Sequence, residues 1–209
     1  KTFGCQMNVN DSEKIRHLLE EKGLAAAGEE QADLIIVNSC AVRAKPQEKI
    51  FSYIGRFPAA TRVIIAGCVA QSEKEALFAK KVRLDYVVGT HQFYRIGEIV
   101  DELRAGGRPA AALGFSRRWQ ELVPAARARD SAVTAYVSIM EGCDNFCSYC
   151  IVPFVRGPEV SRPAADVLAE VRALEAGGCL DVTLLGQNVN SYRHEEGGEA
   201  VTFPRLLRE

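Results

Sequence analysis

Short apolar runs alternate with amphipathic stretches along the first hundred residues. The apolar runs are continuous and rich in β-branched residues, a pattern typical of buried parallel strands. They lie at residues 2–3, 34–37, 63–66 and 86–88. The stretches between them carry apolar residues at helical spacing and predict helices. Strands that alternate with helices in this way predict an α/β fold built on a parallel sheet.

Local signals predict the ends of these helices. Capping residues at 10–13 precede the first helix, which Gly23 ends. Pro46 suits the first turn of the second helix, and residues 72–75 open the third. A fourth helix over residues 93–103 has an apolar face that we expect to point inward, formed by Ile96, Ile99 and Val100.

The second half of the chain repeats the pattern once. Residues 135–140 predict a strand, Ser161 and Pro163 a helix start, and residues 181–185 the next strand. This order is typical of the first part of a (β/α) barrel, which two strands cannot close. We therefore predict three regions: an N-terminal α/β domain at residues 1–105, a basic linker at 106–131, and an incomplete second domain at 132–209.

Composition narrows the class of protein only slightly. The chain has 209 residues, of which 47% are hydrophobic and 25% charged, with a net charge of -1, as in an ordinary globular protein. It contains neither a run of 18 apolar residues nor a recognisable signal peptide, so we expect a cytoplasmic protein without a membrane segment.

The predicted linker is the one strongly basic segment. Six arginines stand against one glutamate over residues 104–129, and Phe115 and Trp119 are interleaved with them. Such a segment suits nucleic-acid backbones and bases. A solvated interdomain linker has the same composition, so both interpretations stay open.

Seven cysteines are many for a chain of this kind, and their number is odd. Without a secretion signal, metal binding or catalysis is favoured over a disulfide framework. The cysteines are at positions 5, 40, 68, 143, 147, 150 and 179. Cys179 precedes a predicted strand and is interpreted as structural. The three histidines match no motif and are expected on the surface or in ordinary packing: His17, His91 and His194.

Three cysteines lie within eight residues, spaced C-x3-C-x2-C at Cys143, Cys147 and Cys150. Thiolates are preferred ligands of iron–sulfur clusters and of zinc. Three thiolates leave one corner of a four-iron cluster without a protein ligand. An open coordination position is typical of a catalytic metal site.

A second group of three cysteines is scattered in sequence. Cys40 and Cys68 directly follow predicted strands, and Cys5 follows the strand tail at residues 2–3. The carboxyl ends of parallel strands share one edge of a sheet, so we expect these three thiols to converge there. The competing interpretation is that each is a buried cysteine acting as a small apolar side chain.

At the level of whole motifs, the sequence resembles the radical S-adenosylmethionine methylthiotransferase family. The C-x3-C-x2-C loop with Tyr149 before its last cysteine is the superfamily signature. The further matching segments are residues 2–8, 11–13, 38–43, 140–157, 159–162 and 184–192. Residues 4–8 and 40–43 resemble the branch that modifies tRNA, because the branch acting on a ribosomal protein typically has Pro-Lys-Asn after the first cysteine.

The resemblance implies two [4Fe-4S] clusters. Cys143, Cys147 and Cys150 would bind the radical-generating cluster and would be catalytic. An auxiliary cluster in the N-terminal domain would carry the sulfur to be transferred, and its ligands would be Cys5, Cys40 and Cys68. Tyr149, Gln187 and Asn188 are expected to bind the cofactor S-adenosylmethionine. Arg156 and Arg162 would meet substrate or cofactor anions, unless they pair with Glu159 or neighbouring carboxylates.

The implied reaction is methylthiolation of carbon 2 of N6-isopentenyladenosine next to the tRNA anticodon. One S-adenosylmethionine would supply the methyl group, and a second the radical that activates the adenine. The expected partners are tRNA and an electron donor of the flavodoxin or ferredoxin type, with the protein a monomer. Two alternatives remain: the same chemistry on threonylcarbamoyladenosine tRNA or a ribosomal protein, and a non-catalytic metal module that binds nucleic acid.

Overall fold

The computed structural model describes residues 1–42, 45–80, 82–115 and 131–209. A sheet of parallel strands in sequential order forms its N-terminal half. The strands are β1 (Thr2–Phe3), β2 (Leu34–Ser39), β3 (Arg62–Gly67), β4 (Tyr86–Val88) and β5 (Ala110–Ala112). The predicted α/β fold with a parallel sheet is confirmed.

Helices cover both faces of this sheet. They are α1 (Gln6–Glu21), α2 (Lys45–Ile54), α3 (Cys68–Glu73) and α4 (Ile96–Arg104), with 3-10 helices at Lys74–Ala79 and Thr90–Arg95. Ile64 and Ile65 of β3 are both fully buried, but they point to opposite faces of the sheet. Ile64 packs with α1 and α4, and Ile65 packs with α2 and α3. The predicted inward face of α4 is buried at Ile96, Ile99 and Val100.

The second half of the chain forms a smaller βαβ unit. Strands β6 (Thr134–Ser138) and β9 (Asp181–Leu185) pair in parallel, and α6 (Ala164–Ala176) lies between them in sequence. Its remaining elements are β7 (Met140–Glu141), α5 (Val152–Arg156), β8 (Val160–Ser161), a 3-10 helix at Val189–Ser191, β10 (Arg193–Glu196), β11 (Glu199–Thr202) and α7 (Phe203–Leu206). A separate core fills this unit around Val137, Ile139 and Tyr192.

The start of α1 differs from the prediction. The helix begins at Gln6, so residues 10–13 lie inside it and do not cap it. Cys5 is the N-cap, and the Asn8 side chain accepts a hydrogen bond from the Cys5 backbone N–H at 3.3 Å. Asn8 thus satisfies the free N–H that a helix start exposes. Asn10 and Asp11, which resemble capping residues in sequence, make long-range contacts instead.

Two further helix starts also differ. The third helix begins at Cys68, directly after β3, so Ser72 and Glu73 lie at its end and Lys74 and Glu75 begin the 3-10 helix that follows. Ser161 lies in β8, where its hydroxyl accepts a hydrogen bond from Arg193 N–H at 3.0 Å. Pro163 occupies the N-cap position of α6, and its fixed φ suits a helix start.

The predicted linker is only partly described. Strand β5 lies within it and pairs with β4 residue for residue. Three alanines carry little strand propensity, so backbone pairing and not sequence pattern defines this strand. Phe115 packs edge-on against His91, with ring centroids 5.1 Å apart. The linker predictions that fall outside the described residues concern Arg117, Arg118, Trp119, Arg127 and Arg129, and the same holds for Arg43 of the 38–43 segment. Among the described helices, none has the length and apolar character needed to cross a membrane.

We expect Asn8→Ala to lower the free energy of unfolding by about 1–3 kcal/mol. Asn8 is fully buried, and its Nδ2 donates to Asn38 Oδ1 at 3.1 Å. The substitution would leave both that oxygen and the Cys5 N–H without this partner. Urea unfolding followed by circular dichroism measures the change. Asn145→Ala at an exposed position is the control, and equal midpoints for the two variants would contradict the prediction.

Candidate functional site

Backbone register brings the first three cysteines to one edge of the sheet. Ser39 pairs with Gly67, so Cys40 and Cys68 leave neighbouring strands side by side. Phe3 pairs with Ser39, and the Cys40 N–H donates to the Phe3 carbonyl at 2.9 Å. Cys5 follows two residues beyond Phe3, at the start of α1. The structure thus places all three thiols at the carboxyl ends of β1, β2 and β3.

The sulfur atoms of this group influence one another. A hydrogen bond with Cys40 lowers the pKa of Cys5 to about 5, and the nearby Arg156 charge acts in the same direction. The same hydrogen bond, with Cys40 as donor, raises the pKa of Cys40, and burial and the neighbouring Cys68 add to the increase. Cys40 and Cys68 are buried, whereas Cys5 is exposed. These contacts favour the thiolate form of Cys5, the exposed member of the group.

Gly67 and Asn38 fix the backbone next to these three cysteines. Gly67 has φ of +89°, a conformation that favours glycine. A Cβ atom at this position would overlap the Asn38 side chain. The Asn38 Nδ2 donates to the Asn8 carbonyl at 2.9 Å and to Ser12 Oγ at 3.0 Å, tying β2 to α1. A buried polar network therefore fixes the start of α1, with its N-cap Cys5, against the strands, in addition to the apolar packing of Ile15 farther along the helix.

The second group of cysteines lies on a loop that is closed at its base. Strands β7 and β8 pair antiparallel on either side of it, Met140 with Ser161 and Glu141 with Val160. The Cys143 N–H donates to the Gly157 carbonyl at 3.2 Å. Gly142 has φ of +78°, and a Cβ atom there would overlap the Pro158 carbonyl oxygen. Only glycine lets the two arms of the loop approach this closely.

The thiols of the loop differ in exposure. Cys143 is buried, Cys150 is intermediate and Cys147 is exposed. The Cys150 N–H donates to the Cys147 carbonyl at 2.9 Å, which forms a turn between them. Tyr149 in this turn is 90% exposed, so its side chain is available to a ligand.

Gln187 supports the loop from the next strand end. It follows β9, and its Oε1 accepts a hydrogen bond from the Gly142 N–H at 2.6 Å. Asn188 precedes the 3-10 helix at Val189–Ser191, and its carbonyl accepts a hydrogen bond from the Ser191 hydroxyl at 2.9 Å. Both residues lie at the strand end, as predicted. Gln187 contacts the base of the loop that carries Cys143, Cys147 and Cys150, which we call the radical-type loop.

Both predicted anion-binding arginines are buried in ion pairs. Arg156 Nη2 lies 2.6 Å from Asp11 Oδ2, and Arg162 pairs with Glu170. Pairing with a carboxylate, the alternative to anion binding, is therefore the arrangement of both arginines in the structure. Glu159, the nearest acidic residue in sequence, instead accepts a hydrogen bond from the Ser191 hydroxyl.

Cys179 lies apart from both groups. It is buried in the core of the βαβ unit, with its sulfur 3.3 Å from the carbonyl oxygens of Val133 and Asp181. Its surroundings are those of a packing residue.

The donor sets of both groups are of the type that iron–sulfur clusters use. Across the described residues, no three Cys, His, Asp or Glu side chains lie close enough together to bind one metal ion. A four-iron cluster places iron and sulfide between its thiolates and so accepts sulfurs that are farther apart. Both groups supply thiols alone, the ligand type that such clusters use.

Two family models match separate parts of the chain. Residues 1–89 match the model described as Uncharacterized protein family UPF0004, and residues 137–201 match the Radical SAM superfamily. The tRNA-2-methylthio-N(6)-dimethylallyladenosine synthase of Geobacter metallireducens is 47% identical over 216 residues, covering 100% of this chain and 48% of the relative. The enzyme of the same name from Novosphingobium aromaticivorans is 42% identical over 214 residues, with the same coverages.

The chain belongs to the radical S-adenosylmethionine methylthiotransferase family. It spans about half the length of the curated relatives that it matches. Within this methylthiotransferase chain, Cys5, Cys40 and Cys68 lie in the UPF0004 region, and the C-x3-C-x2-C loop lies in the radical SAM region.

Three charged or titratable residues near the cysteines were missed by sequence reasoning. Asp11, His91 and Glu141 all lie around Arg156, where Glu141 approaches both His91 and Arg156. Asp11 looked like a helix-capping residue, and His91 matched no motif. Glu141, directly before Gly142-Cys143, offered the one sequence signal: an acidic residue beside a cysteine loop.

Proposed function

We propose that the protein to which this chain belongs methylthiolates carbon 2 of N6-isopentenyladenosine in tRNA, next to the anticodon. The observation that carries the proposal is the presence of two separate three-thiol sites in one chain. A sulfur-transferring radical enzyme needs one site to start the radical and another to hold the sulfur. The names of the relatives support tRNA as the substrate.

Each thiol group would hold one [4Fe-4S] cluster. We assign Cys143, Cys147 and Cys150 to the radical-generating cluster and Cys5, Cys40 and Cys68 to the auxiliary one. When bound, the clusters and S-adenosylmethionine supply one-electron cleavage of a carbon–sulfur bond and a sulfur atom for transfer.

The chain's own residues position these groups. The β7–β8 pair and Gln187 hold the base of the loop, which fixes where its thiols point. The exposed Tyr149 ring is available to shield bound S-adenosylmethionine from water. The buried network of Asn8 and Asn38 fixes the auxiliary thiols against the sheet. We further propose a cytoplasmic monomer that receives electrons from a flavodoxin- or ferredoxin-type protein.

The decisive test is complementation with the complete protein. In a strain that lacks 2-methylthioadenosine derivatives in its tRNA, the wild-type gene should restore 2-methylthio-N6-isopentenyladenosine, measured by nucleoside mass spectrometry. Cys147→Ala should give no detectable product, because an open loop with two thiols cannot hold the cluster in place.

The buried Cys179 provides the matched control, and Cys179→Ala should retain the product. Product from Cys147→Ala would refute the assignment of the radical site. Methylthiolation of threonylcarbamoyladenosine or of a ribosomal protein instead would overturn the proposed substrate. Stoichiometric zinc without iron in the purified protein would favour the non-catalytic metal module.

A further inference from the structure

Arg156 connects the two halves of the molecule through a buried ion pair. It is the last residue of α5, six residues after Cys150, and is 3% exposed. Its Nη2 donates to Oδ2 of Asp11, which is 1% exposed on α1, the helix that begins after Cys5. A residue that follows the radical-type loop thus pairs with a residue that follows an auxiliary thiol.

The backbone around Arg156 is held from the N-terminal half as well. The Thr90 hydroxyl donates to the Val155 carbonyl at 2.7 Å, and His91 Nε2 lies 2.8 Å from the Arg156 carbonyl oxygen. Both residues belong to the 3-10 helix that follows β4. Glu141 completes the group, 3.8 Å from Arg156 Nη1 and 3.6 Å from His91 Nε2. Arg156 therefore has a fixed position relative to both halves.

Helix α5, which ends at Arg156, packs against α3, which begins at Cys68. Burial by itself would lower the pKa of Arg156, but the charges of Asp11, Cys68 and Glu141 raise it well above its usual value. Arg156 Nη1 is buried and makes no hydrogen bond. The carboxyl groups of Asp11 and Glu141 both face this buried cation, and thiolates would add negative charge beside it.

We propose that Arg156 is a positioning residue for the auxiliary site: it fixes α5 against α1 and places a permanent positive charge beside Cys68. The inference rests on the proposed function, since it concerns the cluster that Cys5, Cys40 and Cys68 would hold. A buried cation near an iron–sulfur cluster favours the reduced, more negative state and so raises its reduction potential.

The test measures the potential of the auxiliary cluster alone. In the complete protein, Cys143, Cys147 and Cys150 are replaced by alanine, so that iron and sulfide added anaerobically load only the N-terminal site. In this background, Asp11→Asn is compared with Asp11→Asn/Arg156→Gln, so that the two variants differ only in the positive charge of Arg156. We expect the ratio of reduced to oxidised cluster at a fixed potential to fall about tenfold, a shift of about 59 mV for one electron, in a redox titration followed by electron paramagnetic resonance.

The control is Arg162→Gln/Glu170→Gln. That ion pair is equally buried but lies within the βαβ unit, so its loss should leave the potential unchanged. Arg156→Lys retains the positive charge, so the reduction potential of its auxiliary cluster should stay close to that of the protein with Arg156. If the Asp11→Asn/Arg156→Gln variant does not fold, Asp11→Leu/Arg156→Met is used instead. It fills the same volume with apolar side chains, and proteins often tolerate this replacement of a buried ion pair.

An unchanged potential in a folded, neutral variant would overturn the inference while leaving the proposed function intact. An equal shift in the Arg162/Glu170 control would also overturn it, because the effect would then be a general consequence of losing a buried ion pair. Absence of any cluster in the parent protein would instead overturn the proposed function, and the inference with it.

Discussion

Replacing Cys143, Cys147 and Cys150 together with alanine is expected to halve the iron content of the protein. With two four-iron clusters, the wild type should bind about eight irons after anaerobic reconstitution and the triple variant about four. The Cys5→Ala/Cys40→Ala/Cys68→Ala variant should lose the other half, because its thiols form a separate group at the carboxyl ends of β1, β2 and β3. Iron and sulfide assays per chain measure the effect.

Cys179→Ala controls for the loss of a buried thiol as such, and it should bind as much iron as the wild type. Full loss of iron in only one of the two triple variants would contradict the assignment of one cluster to each group. Iron retained in both would show that the ligands lie elsewhere.

Gly142→Ala should eliminate the cluster of the radical-type loop while leaving the auxiliary cluster in place. Alanine at φ of +78° is strained, and its Cβ would overlap the Pro158 carbonyl oxygen and approach that of Gly157. The arms of the loop must then separate, which breaks the hydrogen bond from Cys143 N–H to Gly157. We expect half of the wild-type iron, together with a loss of about 1–3 kcal/mol in unfolding free energy from backbone strain.

Gly178→Ala is the matched control. Gly178 has φ of +84°, but nothing lies within 4 Å of the Cβ position, so this variant shares the backbone strain without the collision. It should lose stability yet retain all its iron. Equal iron in both variants would mean that the close approach at Gly142 does not set the loop geometry.

Sequence patterns predicted the strands because burial on both faces requires continuous β-branched runs. Ile64 and Ile65 illustrate this, since each packs into a different core. The same reasoning missed β5, whose three alanines have no such signature and which is held by backbone pairing with β4. It also misplaced the start of α1, because Asn8 caps the helix from inside the first turn.

Part of the candidate site could likewise be predicted from the sequence, and part could not. The convergence of Cys5, Cys40 and Cys68 followed from parallel topology alone, because strand ends share an edge. The pairing of Asp11 with Arg156 could not be predicted, since the two residues lie 145 positions apart and no periodicity relates them. The sequence left open whether Arg156 meets a ligand or a carboxylate, and only packing between the two halves decides that.

The two thiol groups also differ in contact order. The loop group occupies residues 143–150 and is closed by the local pairing of β7 with β8, whereas the auxiliary group joins three segments between residues 5 and 68. Bringing distant segments together costs chain entropy before parallel pairing compensates for it. A chain refolding from denaturant should therefore regain the geometry of the loop early and that of the auxiliary group only when the sheet is complete. Cluster binding would follow this order, so the auxiliary group would become able to bind its cluster last.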